Sequence, residues 1–324
     1  MRWFDESTAP TARPLRAATM AGNVCAAASG GSAEKRLPMD RAIGIDIGGT
    51  SVKAAAVEGG KVAWTGRSAP YRQPTRDSLA AAIRQALGGR SVGASGIEVG
   101  LCVPGLLADD RRTVTHSVNI PGLNGVDLHD LVAAAGLQPD AFAVVTDAFA
   151  TAYDFYVGQR LTGRLFTLAV GAGVGAAVLD EGGRSLLVDG DSPGHFGQLD
   201  VSLEDEPVVG PDGGAGSLEG YLSAGALARR YGGDPHATVD QIGPDDPPVR
   251  ALARAIRIAH ALYRPHHVCL AGGIGIRLGR LLPDLRRHVE QHLTNIARPG
   301  WTLSVGDSDF HAAQGAARYA MSRT

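Results

Sequence analysis

The segment AIGIDIGGTSVKAAAV, Ala42 to Val57, decides the fold. Its first six residues are a short apolar run that predicts a strand, Gly48-Gly49-Thr50 turns the chain, and SVKAAAV continues as a second strand. After Gly59-Gly60, KVAWTG supplies a third, so the chain opens with a β-meander. No helix follows the glycine turn. A dinucleotide fingerprint or a Walker loop would require one there, and the Gly-Lys-Ser/Thr ending is also missing.

Beyond the meander, RDSLAAAIRQALGG has helical spacing and stops at Gly88-Gly89, GIEVGLCV predicts a strand, DLHDLVAAAG a helix, FAVVT a strand, and DAFATAYDFYVG a helix ending at Gly158. The order then begins again. RLFTLAV, the turn VGAGVG (Val170 to Gly175), AAVLD and a third strand near RSLLV predict a second meander. Helices are expected at roughly 217–230 and 248–263, then a strand HVCLAG, then helices near 277–292 and 310–321. Two copies of one pattern predict two similar α/β domains with a cleft between them. They would comprise residues 39–160, joined by a C-terminal helix 308–324, and residues 161–307.

Residues 1–38 lack sustained periodicity and are rich in Ala, Ser, Thr, Gly and Pro, a composition that predicts disorder. They hold no continuous apolar core of a signal peptide, Asp5 and Glu6 argue against a transit peptide, and the patterning does not suit a winged helix. The 324 residues are 44% hydrophobic and 20% charged, with a net charge of −2. Arginines scattered among acids offer no basic stripe, which argues against nucleic acid as a partner. No run of eighteen or more apolar residues occurs, so no membrane span is expected. Cys25, Cys102 and Cys269 lie far apart without metal spacing, which suits a reducing cytoplasm.

The two glycine turns occupy equivalent places in the two halves. Without a Cβ in the way, backbone N–H groups can face an oxyanion, so two opposed hairpins could grip a polyphosphate from both sides. GAGVG alone reads better as a tight hairpin. The symmetrical pair, with Asp46 at the end of the first strand, points to nucleotide phosphates, Asp46 holding Mg2+ directly or through water.

Nine segments in order (GIDIGGTSVK, GLCVPGLL, HSVNIPGLNG, TDAFATA, VGAGVG, PGHFGQ, GSLEGYLSAGALARR, CLAGGIG and AAQGAARYA) resemble the ROK sugar kinases, within the actin-like ATPase superfamily. The resemblance covers about Ala42 to Ala320. It implies two ribonuclease H-like domains, each a mixed sheet flanked by helices. It implies ATP held by Asp46, Gly48, Gly49, Thr50 and Lys53 on one side and by Gly171, Ala172 and Gly173 on the other. Gly272 and Gly273 would flank the adenosine. Asp147 matches the family's catalytic base, with an N-cap as its alternative role. Asn119, Thr146 and Glu219 match positions on the acceptor side. Asn119 reads equally as a turn residue, and Glu219 as an acid favourable toward a helix dipole. A homodimer is the expected assembly.

The departures are informative. Family members carry Glu-x-Gly-His in the acceptor loop, where this chain has His195 and Gln198. The three cysteines of the family's zinc loop fall at Gly210, Asp212 and Ser217, which removes the thiolates and with them a structural zinc. Thr146 replaces an Asn, Phe149 a polar residue, and Ala172 a Thr whose hydroxyl would be worth about 1 kcal/mol toward phosphate. An ionised Glu only accepts hydrogen bonds, whereas neutral His donates one and Gln does both. The expected function is therefore ATP-dependent phosphorylation of the hydroxymethyl group of a glucose-like polyol altered at the far edge, such as a C7 cyclitol or a modified or amino sugar; family relatives acting on such compounds serve secondary metabolism. An ordinary glucokinase or hexose kinase and a non-catalytic sugar sensor are the alternatives.

Overall fold

The computed structural model describes residues 41–90, 97–117, 120–139, 141–188, 192–211 and 213–323. The disorder expected of residues 1–38, and Asn119, lie outside the described residues.

The opening meander forms as β1 (Arg41–Ile47), β2 (Val52–Glu58) and β3 (Lys61–Arg67), antiparallel in succession. Thr75 then starts α1 (Arg76–Leu87) with a capping box shared with Ser78, and Gly88 stops it in the left-handed conformation. β4 (Glu98–Val103) follows, then a small hairpin of β5 (Leu106–Leu107) and β6 (Val114–His116), α2 (Leu128–Ala134) and β7 (Ala141–Thr146). The first sheet has the order β3-β2-β1-β4-β7, with β1, β4 and β7 parallel. Ile43, Ile45, Leu101, Leu79 and Ile83 form its core against α1. α3 (Asp147–Gly158) leaves directly from the end of β7.

The second sheet is built from β8 (Leu165–Val170), β9 (Val174–Leu179), β10 (His267–Ala271) and β11 (Thr302–Val305), in the order β11-β10-β8-β9. Between β9 and β10 lie α4 (Leu218–Leu222), α5 (Ala224–Tyr231), α6 (Pro235–Thr238) and α7 (Pro247–Tyr263). After β10 come α8 (Gly272–Gly275), α9 (Leu282–Glu290) and, at the end, α10 (His311–Met321). Phe166, Leu168, Tyr221, Leu252 and Ile256 anchor the core on this side.

α10 lies on the first sheet at backbone contact. A Cβ on Gly44 of β1 would stand 1.7 Å from the Ala313 carbonyl oxygen, and one on Gly100 of β4 would stand 1.9 Å from that of Ala316. The helix also meets α3, where a Cβ on Gly315 would reach the Ala150 carbonyl oxygen at 1.8 Å. At the centre of this packing the Asp154 carboxylate of α3 accepts from His311 and from Arg318, each at 2.6 Å.

Three expectations need correction. RSLLV is not a third strand: it meets the edge of β9 only through an isolated Ser185–Leu179 bridge and the Leu186 N–H donated to Val178, then turns out to solvent, where Leu187 and Val188 are 46% and 74% exposed. The sheet is completed on its other side by β11, which lay between two expected helices. The helix expected over 217–230 breaks at Ser223, which takes an extended conformation and caps α5 through its side chain. The helix expected over 277–292 begins as a 3-10 stretch, Ile276–Leu281, and turns α-helical only where Pro283 occupies an early position that needs no N–H.

Candidate active site

The meander brings chemistry-bearing side chains into one row. Asp46 on β1 pairs in register with Lys53 on β2 and with Cys102 on β4, and Lys53 pairs with Arg67 on β3. Residues directly opposite on neighbouring strands share a face of the sheet. Asp46 is only 5% exposed; its carboxylate lies 3.8 Å from Lys53 Nζ and accepts weakly from Cys102 Sγ at 3.6 Å. Burial raises the Asp46 carboxyl above its ordinary value against the pull of Lys53. Burial raises the Cys102 thiol well above its own, with Asp46 adding to it.

The first glycine turn is closed by Gly48 N–H donating to the Ser51 carbonyl at 3.1 Å. Tyr71 pins it from outside, its amide donating to the Thr50 carbonyl at 2.8 Å and its hydroxyl to the Gly48 carbonyl at 2.6 Å. The second turn, between β8 and β9, is closed by Gly171 N–H to the Gly173 carbonyl at 2.9 Å. Glu219, second residue of α4 and following its Ser217 cap, supports this turn by accepting the Val174 N–H at 2.6 Å. The amides of Gly49, Thr50, Ala172 and Gly173 donate to no group among the described residues, and all four residues line one cleft of about 700 Å³. Gly272 and Gly273 line it too. Gly272 has φ +79°, and a Cβ there would stand 2.4 Å from the Val170 carbonyl oxygen, so only glycine lets α8 start this close to β8.

Asp147 sits at the first position of α3. The N-cap role considered for it belongs instead to Thr146, whose hydroxyl accepts the Phe149 N–H at 3.3 Å. Asp147 Oδ1 accepts the Ala148 N–H at 2.9 Å. Burial, reinforced by the negative charge of Asp46, raises this carboxyl to about 6. Asp147 and the second turn are close: a Cβ on Gly175 of β9 would stand 3.9 Å from Asp147 Oδ1.

The cleft lining thus gathers Asp46, Gly48, Gly49, Thr50, Lys53 and Asp147 with Gly171, Ala172, Gly173, Glu219, Gly272 and Gly273. Thr146, His195 and Gln198 are not brought into it. His195 and Gln198 are exposed on the loop that follows β9, where Gln198 Nε2 donates to Glu219 Oε2 at 3.1 Å. Asp212 lies outside the described residues, and among those described no group of three or more His, Cys, Asp or Glu is arranged to hold a metal ion. His266 and His267 make structural bonds, His266 Nδ1 accepting the Arg164 N–H at 2.8 Å and His267 bridging Thr302 and Thr162. Phe149 and Tyr153 of α3 stack on each other and meet Tyr319 of α10 edge to face.

Sequence reasoning missed Arg67, Tyr71 and Thr151. None of the three carried a signal: counting out from the Gly59-Gly60 turn sets Gly66 opposite Lys53, and only the register shift at Ala56/Val57 brings Arg67 to that position. No helix among the described residues is long and apolar enough to cross a membrane.

Solved structures with this fold include a ROK hexokinase from Thermus thermophilus, 22% identical, covering 86% of this chain and 97% of that one with a TM-score of 0.63. A ROK family glucokinase from Streptomyces griseus, solved with glucose and AMPPNP, is 24% identical, covering 86% and 98% with a TM-score of 0.65. A ROK family transcriptional regulator, a homologue of the E. coli MLC protein, is 16% identical, covering 87% and 78% with a TM-score of 0.66. These likenesses show the mixed α/β fold of the ROK proteins, kinases and regulators alike. No curated protein matches the chain. The model described as "ROK family" matches residues 42–244, more than half of the sequence, and the chain belongs to that family.

Proposed function

We propose that this ROK protein is an ATP-dependent kinase acting on a small polyol, with Asp147 as the base. One observation carries the reading: a carboxyl raised to about 6 shares a cleft with two glycine turns, each of which has two amides that donate to no group among the described residues. Unpaired backbone donors without obstructing side chains suit phosphate oxygens. Asp46 fits a divalent cation, being a hard oxygen donor whose buried charge is incompletely offset by Lys53. A bound magnesium nucleotide would supply the phosphoryl group and offset charge on the phosphates.

The chain's own residues do the rest. Gly49, Thr50, Ala172 and Gly173 offer their amides to the phosphates, and Gly272 and Gly273 leave room for the nucleoside. Asp147 Oδ2 takes the proton of the attacking hydroxyl while Ala148 N–H holds Oδ1 in place. A base near 6 is ionised at neutral pH and protonated below it. The acid limb of kcat/KM should accordingly fall about tenfold per pH unit below about 6. A profile flat to pH 4 would exclude Asp147 as the base.

Our reading of the acceptor is a glucose-like polyol changed at the edge away from its hydroxymethyl group, such as a cyclitol or an aminosugar. Gln198 gives an amide N–H to Glu219, which lines the cleft, and His195 stands where the family pattern has an acid that would only accept. A site that pairs one polar group rejects an analogue lacking it strongly. The test is a panel of hexoses, aminosugars and cyclitols with ATP and Mg2+, read by product mass and position of the phosphate. Glucose turning over as fast as every cyclitol and aminosugar would refute the acceptor assignment. Ligand binding without turnover of any acceptor would make the protein a sensor.

A further inference from the structure

We infer that Arg67 is a further ligand for the donor phosphates, held in reserve by an ion pair with Asp309 that the phosphates displace. The inference rests on the proposal that the cleft takes a nucleotide. Arg67 ends β3 in the same in-register row as Lys53 and Asp46, about 10 Å along it from Asp46 at two strand spacings. It lines the cleft together with the first glycine turn. The other cations there are already engaged within the protein: Lys53 faces Asp46 at 3.8 Å, and Arg277 donates to the Gly273 carbonyl at 3.3 Å.

Arg67 differs from both in how it is held. Its Nη2 lies 3.2 Å from Asp309 Oδ2, and both side chains are 44% exposed, so water screens the pair and little is lost on breaking it. The guanidinium also lies over the Phe310 ring, 5.4 Å from its centroid, which keeps it oriented without consuming its donors. A guanidinium presents a planar fork that matches two phosphate oxygens, a geometry a lysine cannot reproduce. Asp309 carries the same sign of charge as a triphosphate and lines the same cleft. Nucleotide entry therefore sets Asp309 against the phosphates and transfers Arg67 from one acid to the other.

The experiment is calorimetric titration of the full chain with magnesium AMPPNP, repeated on Arg67→Gln, Arg67→Lys and Asp309→Asn, with Tm measured for each. Arg67→Gln should weaken binding about 10- to 30-fold, the scale of a charge-assisted bond, and Arg67→Lys should recover only part of it. Asp309→Asn should bind two- to fivefold more tightly, because the competing acid is gone. Wild-type protein that fails to bind the nucleotide would overturn the proposed function itself. Wild-type binding with Arg67→Gln unchanged, whether or not its Tm falls, would overturn this inference alone, as would weaker binding by Asp309→Asn.

Discussion

Asp147→Asn should lower turnover about 10²- to 10⁴-fold, leave magnesium nucleotide binding within about twofold, and raise Tm by about 1–2 °C. The loss follows from removing the proton acceptor, since a positioned base contributes 10²–10⁴-fold. The fold should survive, because an amide oxygen can still accept the Ala148 N–H that Oδ1 accepts now. The gain in Tm follows from the direction of the shift. A carboxyl raised in the folded protein to about 6 binds protons there that the unfolded chain releases nearer 3.8, so stability declines as pH rises through that interval. At neutral pH the ionised group is a net burden, discounted here because Asp147 is partly open to the cleft; replacing it relieves about 1 kcal/mol. Turnover within tenfold of wild type would remove Asp147 from the chemistry. A lowered Tm would show that the carboxylate is structural.

The largest stability losses should come from residues far less conspicuous. Gly44→Ala, Gly100→Ala and Gly315→Ala should each cost about 3 kcal/mol or more, at the upper end for overpacking, and lower Tm or yield no folded protein. The added methyl would meet the carbonyl oxygens of Ala313, Ala316 and Ala150 at 1.7, 1.9 and 1.8 Å. A backbone carbonyl cannot rotate aside as a side chain can, so α10 itself would have to lift. Gly158→Ala is the control: a Cβ there meets nothing within 4 Å, and the change should be neutral or slightly stabilising. Thermal melts of the four variants decide it; equal Tm values across them would refute backbone contact as the basis of this packing. Lifting α10 would also disturb function, since Gly44 lies two residues before Asp46 on β1 and Gly315 packs against the helix that Asp147 begins.

Much was already present in the sequence. The meander, both glycine turns and the helix after Asp147 were legible because strand patterning, glycine and caps act over a few residues. The family pattern, in turn, marked Asp46, Asp147 and the turn glycines before any geometry was known. Tertiary structure alone decided that RSLLV leaves the sheet after one bridge while TLSV forms β11, and that Gln198 gives an amide N–H to Glu219. It also decided that Arg67 meets Asp309, a residue 242 positions away. The physical reason is range. Local sequence sets backbone preference and which face is apolar, but an unpaired sheet edge, a spare donor or an exchangeable counter-ion exists only once distant segments have packed together.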